Sequence, residues 1–333
     1  MGRTRRTGTI AAGFTMVLFA AACGSDTPDS EGGGGDAASD YPSEQITFVV
    51  PYEPGGSTDL FGRAYADRLA EVTGQTVVVE NVGGGGGGIG QTQVIQSEPD
   101  GYTIGLGTNT ALGFQQFINP DVPWETPEDY TALGTLAETP SLLVVSPDSP
   151  FEDFGQMIEE ARERPGEITV GTTGARTLAH ITMQQVMNAE DVEFNMVHLP
   201  SAGEALTAVI GGHVDTFATT LASAKGLITD GALEALVVLT DREYEALPDV
   251  PLISDYDLEP TITFGLYVIA PPGLPDDIAA ALERLTREVL ESEGYLEFQA
   301  ESGAFSGPIG IEDTEQSLSD QTETLREIAE SME

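Results

Sequence analysis

Residues 46–59 read Ile-Thr-Phe-Val-Val-Pro-Tyr-Glu-Pro-Gly-Gly-Ser-Thr-Asp. The β-branched and aromatic residues 46–50 predict a strand, 51–56 a tight loop, and Ser57, Thr58 and Asp59 the capped start of a helix. Leu60, Phe61, Ala64, Tyr65, Leu69 and Val72 keep one helical face, and Gly74 is placed to end it. The same order returns downstream as a strand at 168–171, the small-residue loop Thr172-Thr173-Gly174 and a helix at 175–188. Further strands are predicted at 76–80, 103–106, 142–145, 215–219, 235–239 and 264–270, and further helices at 202–211 and 225–230, with two more at the C-terminus. Strands alternating with helices give an α/β fold with mostly parallel sheets. A folded body of about 290 residues is expected to divide into two lobes. The expected boundaries are 45–146 plus 264–333 for lobe 1 and 147–263 for lobe 2, with 142–145 and 265–270 as crossing strands.

The chain has 333 residues, and 13 Lys+Arg against 55 Asp+Glu give a formal charge of −42. Such acidity repels phosphate backbones and anionic headgroups, which argues against nucleic-acid binding and electrostatic membrane binding. Arg3, Arg5 and Arg6, an uncharged run at 10–22 and the small residues before Cys23 read as a signal peptide over 1–22. That run is shorter than the ~20 apolar residues of a spanning helix. Cys23, the only cysteine, follows three alanines and resembles the lipidated residue of a bacterial lipoprotein, although Ala20 stands where Leu is usual. An ordinary signal peptide cut nearby remains the alternative. Residues 23–44 are rich in Gly, Ser, Asp and Pro and read as a disordered tether. Removal of 1–22 leaves ten basic residues against 55 acidic ones, a charge of −45, and Lys225 is the only lysine.

Nucleophile motifs are missing: there is no Gly-x-Ser-x-Gly, His-Glu-x-x-His or Ser-x-x-Lys. His180, His198 and His213 are not at metal-ligand spacing. The run Gly83 to Gly88 satisfies Gly-x-Gly-x-x-Gly only because every position is glycine. It reads as a flexible loop or as backbone that comes close to a ligand. Neither a metal nor a cofactor is expected. Loops that feed helix N-termini offer unpaired N–H groups and a partial positive charge, so they can hold a carboxylate without lysine or arginine.

Residues 49–59, the segment Val78-Val79-Glu80-Asn81 with the glycine run and Gly90, and 99–103 together resemble the receptors of tripartite tricarboxylate transporters, also called Bug receptors. The likeness continues through 171–180, 203–205 with 211–215, Leu247-Pro248-Asp249-Val250-Pro251 and 270–275. It implies a two-lobed type II periplasmic-binding-protein-like fold that closes on a small organic carboxylate and delivers it to a membrane permease. With the lipoprotein-like Cys23, a monomer is expected, held by its lipid on the outer face of the cell membrane. Carried onto this chain, the ligand contacts become Tyr52, Gly55, Gly56, Ser57, Thr58, Asp59, Asn81 and the backbone N–H groups of Gly87, Gly88 and Ile89. Thr172, Thr173 and Arg176 join from the second lobe, and Thr108 and Asn109 from another strand end. Asp59 reads equally as a helix-start charge, Arg176 as a solvated helix residue, and Trp124 as the cover of a loop edge.

Three departures from the family stand out. Glu53 replaces a small residue, the glycine run is longer, and Leu199-Pro200-Ser201-Ala202 lacks an aromatic-basic pair, so no side-chain contact is expected from that loop. An enzyme on a similar α/β frame and a structural or adhesive surface lipoprotein are the competing readings.

Overall fold

The strand expected at 46–50 is β1 (Ile46–Val50), and it leads directly into α1 (Ser57–Thr73). The computed structural model describes residues 41–240 and 247–331. The signal peptide, Cys23 and most of the expected tether lie outside the described residues. The last residues of that tether belong to the packed body. Tyr41 is buried, and its hydroxyl donates to the carbonyl of Gly101 at 2.5 Å.

After α1 come β2 (Val77–Asn81), α2 (Gly88–Ile95) and β3 (Thr103–Thr108). A π-helical turn (Thr110–Phe114) then runs into the short α3 (Gln115–Ile118). β4 (Thr131–Thr139) and β5 (Ser141–Val145) follow, separated only by Pro140. The middle of the chain supplies α4 (Phe154–Glu163), β6 (Thr169–Thr172), α5 (Leu178–Glu190), β7 (Asn195–His198), α6 (Ala202–Ile210) and β8 (Thr216–Thr220). α7 (Leu221–Thr229) and β9 (Glu234–Val238) complete that part. β10 (Phe264–Ala270) precedes three helices, α8 (Asp276–Leu290), α9 (Glu293–Glu301) and α10 (Ile311–Ser331), where the sequence predicted two.

One sheet has the order β2-β1-β3-β10-β4 and the other β7-β6-β8-β5-β9. Both are mixed, which corrects the expectation of mostly parallel sheets. β10 runs antiparallel to β3 and β4, and β5 antiparallel to β8 and β9. These two strands enter from the other sheet rather than from a helix on their own, so they arrive in the opposite direction. The chain leaves the first sheet at Pro140, ahead of the expected 146/147 boundary, and returns to it with β10. β5 and β10 therefore lie wholly within one sheet each instead of spanning both.

Each sheet has its own core. Phe48, Phe61, Tyr65 and Leu69 pack with Leu282, Leu285 and Val289 on the first. Val144, Val170 and Phe217 pack with Met157, Met183 and Val209 on the second. The two largest buried clusters, one on each sheet, make two lobes of an α/β fold. Among the described residues, no helix is long and apolar enough to cross a membrane.

Candidate functional site

Four helices begin at one recess between the lobes. Its wall includes Gly56, Ser57 and Thr58 at the start of α1, Thr177, Leu178 and Ala179 at α5, Ser201 and Ala202 at α6, and Thr220 and Ser223 at α7. Three of these helices start without a side-chain cap: Gly56, Thr177 and Thr220 hold the N-cap positions of α1, α5 and α7, and none bonds a first-turn N–H. Ser201 alone caps, accepting from the N–H of Glu204 at 3.2 Å. The expectation that Ser57, Thr58 and Asp59 cap α1 is therefore corrected. Ser57 is already helical, and Asp59 turns its carboxylate back onto the loop.

The first-turn N–H groups of a helix have no partner within the helix. Each helix start also favours an anion by roughly 0.3–2 kcal/mol, depending on burial. Gathering four such starts around one small chamber makes an anion site from backbone alone. No lysine, arginine or histidine lines this recess, and Glu53 at its rim is the only charged side chain that does so among the described residues. Phe217 and Phe264 close its floor. The recess is small, about 90 Å³, and opens into an outer basin of about 1010 Å³. The two chambers share Tyr52, Glu53, Thr173, Thr177, Pro200 and Ser201.

The loop before α1 is held by a charged buckle. Asp59 accepts from the backbone N–H of Gly55 at 3.2 Å, from Asn81 Nδ2 at 3.0 Å and from Arg63 at 2.8 Å. The second hydrogen of the Asn81 amide goes to the carbonyl of Tyr52 at 3.0 Å. Burial works to raise the Asp59 pKa, but hydrogen bonds from Arg63, Asn81 and Gly55 outweigh it and hold the carboxyl below its ordinary value. Asp59, Asn81 and Gly55 are thus fasteners of the loop rather than part of the recess wall.

Tyr52 spans the gap to the glycine loop. Its hydroxyl donates to the carbonyl of Gly86 at 3.0 Å and lies 3.3 Å from Thr108 Oγ1. Burial pushes its pKa up, so it stays a neutral phenol. Gly87 has φ +97°, and a Cβ there would stand 2.9 Å from the Tyr52 hydroxyl, which explains one glycine of the run. The N–H groups of Gly87, Gly88 and Ile89, expected to face a ligand, close the loop on the carbonyls of Gly84 and Gly85 instead. Gly87 still lines the outer basin, but Gly88 and Ile89 line neither chamber.

Thr108 and Asn109 are fully buried behind the wall. Asn109 donates to the carbonyl of Thr263 and to Gln321, and accepts from Gly265, so it ties the end of β3 to the start of β10 and to α10. Thr108 stands behind Tyr52. Thr172 is also buried, 2.5 Å from His198 Nδ1, while Thr173 lines both chambers. Trp124 is buried and donates to the carbonyl of Leu112 at 2.8 Å, a core residue rather than the expected loop cover.

Arg176 lies two residues before α5, not on a helix as predicted, and it reaches the outer basin. Its φ of +65° is rare for a residue with a side chain, and its N–H donates to His180 Nδ1 at 2.8 Å. The His180 and His198 rings sit edge-on at 5.5 Å. Burial, then the neighbouring His198 and Arg176, lower the His180 pKa.

The recess residues that the sequence missed are those of the second lobe, around the starts of α5, α6 and α7. The signal was present as strand–loop–helix junctions at 199–202 and 219–221. Those loops lack charged or aromatic side chains, and they contribute backbone.

Residues 61–332 match the model of the tripartite tricarboxylate transporter family receptor. A UPF0065 protein of Bordetella pertussis is 32% identical over 269 residues, 80% of this chain and 82% of that protein. Among solved structures, a periplasmic transporter is 26% identical with a TM-score of 0.83, covering 88% of this chain and 98% of its own. An R. palustris protein with adipate is 26% identical with a TM-score of 0.81, covering 87% of this chain and 98% of its own. The chain belongs to the tripartite tricarboxylate transporter receptor family and is a solute-binding receptor, not an enzyme.

Proposed function

We propose that the protein captures a small organic carboxylate outside the cytoplasm, closes its two lobes on it, and delivers it to the permease of a tripartite tricarboxylate transporter. The observation that carries this reading is the convergence of four helix starts, three of them uncapped, on a recess that lacks any cationic side chain. Such a site takes a carboxylate by hydrogen bonds from backbone N–H groups and explains how so acidic a chain accepts an anion. At physiological salt the Debye length is ~8 Å, so remote surface carboxylates are screened from the cleft. The adipate bound by a structural neighbour is a ligand of the same chemistry.

In this reading Gly56, Ser57, Thr58 and Thr173 line the bound carboxylate, and Tyr52 is a neutral wall shared by the two chambers. Arg176 supplies the basin's cation. The signal peptide directs export, by the general or the twin-arginine route, and lipid on Cys23 holds the receptor at the membrane as a monomer.

Thermal unfolding against citrate, malate, succinate, glutamate, nicotinate and an aromatic dicarboxylate tests it, on protein stripped of carried-over ligand by unfolding and refolding. A ligand at 100 times its Kd stabilises by ~2.7 kcal/mol. That should raise the midpoint by roughly 5–10 °C for a body of this size. No shift with any acid would overturn the reading. Lipidation is checked by the mass of the membrane-extracted chain, which should lose residues 1–22 and gain lipid at Cys23, and Cys23→Ser should release it.

A further inference from the structure

Two donors that line the outer basin have no partner among the described residues. Gln115, the first residue of α3, is 2% exposed, yet its Nε2 makes no hydrogen bond. A buried amide donor without an acceptor is costly, and native structures rarely keep one without a use. Gln115 follows directly on the π-helical turn 110–114, a distortion often found beside functional sites. Arg176 faces the same basin from the other lobe. Every other lysine or arginine among the described residues pairs with a carboxylate or, for Lys225, with the carbonyl of Glu301. Among the described residues the Arg176 guanidinium has no such partner.

The two residues meet at Gly86. A Cβ on Gly86 would stand 2.5 Å from Gln115 Nε2 and 3.3 Å from the Arg176 carbonyl oxygen, and its φ of +64° is one that side chains disfavour. Glycine at this position leaves the Gln115 amide uncrowded on the basin side. Arg176 is in turn held in its left-handed conformation by the bond from its N–H to His180. Backbone strain at a residue whose guanidinium is unpaired fits a binding role better than a structural one.

We propose that Gln115 Nε2 and the Arg176 guanidinium form an outer oxyanion subsite, one donor from each lobe, and that Gln115 is a specificity residue of the receptor. This rests on the carboxylate-receptor reading. The recess of helix starts holds one carboxylate of the ligand, and the outer pair receives an oxyanion at its far end. The subsite completes both donors only when the lobes are closed, so it couples recognition of the distal group to closure.

The test is calorimetric titration of the wild-type chain and of the Q115L and R176Q variants with matched acids. The pairs are succinate with butyrate, glutarate with valerate and adipate with hexanoate. For the best-fitting length, the wild type should bind the diacid at least tenfold tighter than its monoacid. Each variant should cut that ratio by roughly tenfold, as for loss of a hydrogen bond to a charged group. A ratio that stays at the wild-type value in both variants overturns the proposal, as does an equal fall for diacid and monoacid, which would mark a merely structural role. Should Q115L fail to fold, R176Q, at an exposed position, carries the same test. Wild type that binds no acid at all would instead bring down the receptor reading itself.

Discussion

On the first-lobe wall of the cleft, the loop before α1 is tied by charged groups, Asp59 with Arg63 and Asn81, and by Tyr52 against Gly86. On the second-lobe wall, the loop after β6 is held by neutral contacts, Thr172 with His198, Thr177 with the carbonyl of Gly174, and the N–H of Arg176 with His180. Charge-assisted bonds are about twice as strong as neutral ones. The first wall is therefore the firmer one, and the second the more yielding.

The sharpest way to break this contrast is Asp59→Ala. It leaves Arg63, Asn81 and the Gly55 N–H without their common acceptor and should destabilise the protein by about 2–3 kcal/mol in urea unfolding. A loss below about 1 kcal/mol would mean that the buckle is ornamental. Gly56→Asp comes next. It places a carboxylate at the N-cap of α1, where it takes the first-turn N–H groups and the positive end that the ligand needs. Carboxylate affinity should fall at least tenfold, a loss of about 1.4 kcal/mol. The melting point of the ligand-free protein should hold or rise, since glycine and aspartate differ by only a few tenths of a kcal/mol as caps. Unchanged affinity would remove the helix starts from the binding mechanism.

Thr172→Ala is the counterpart on the softer wall. Loss of one neutral hydrogen bond should cost about 1 kcal/mol, and a cost equal to that of Asp59→Ala would erase the difference between the walls.

Two pH effects sharpen it further. The folded pKa of Asp59 is lowered, so its contribution is fully present above the unfolded value near pH 4 and is lost as pH falls through the folded value. The stability gap between wild type and Asp59→Asn should then close below about pH 4. His180 also has a lowered folded pKa, so it favours the fold above its unfolded value of about 6.5 and loses that as pH falls. Protonation also ends its role as acceptor for Arg176. Relative to His180→Gln, the wild type should lose stability between pH 7 and 5, the smallest of these effects.

Reading the first half of each lobe from sequence worked because local signals sufficed. Residues 46–74 carry a β-branched run, breakers and helical periodicity in turn, and they fold as the strand, loop and helix read, except that Ser57, Thr58 and Asp59 do not cap the helix. The parts that failed are those where the signal is tertiary. β4 has no bounded pattern of its own, and the start of α7 lies four residues before the predicted one because Thr220 offers no cap to mark it. Asn81, Thr108 and Asn109 sit at strand ends, where ligand contacts are expected. Their side chains turn into the fold instead, where buried amides and hydroxyls must find partners.

The sequence by itself determined the α/β class and the family. It also showed that a chain with so few basic residues must hold an anion by other means. Only the tertiary structure decided which helix starts would converge, because a helix N-terminus becomes a site through its neighbours and not through its own residues. It also decided that Asp59 fastens while Arg176 has no acidic partner among the described residues. That division depends on which charges lie within a few ångströms of one another, a distance set by packing and not by spacing along the chain.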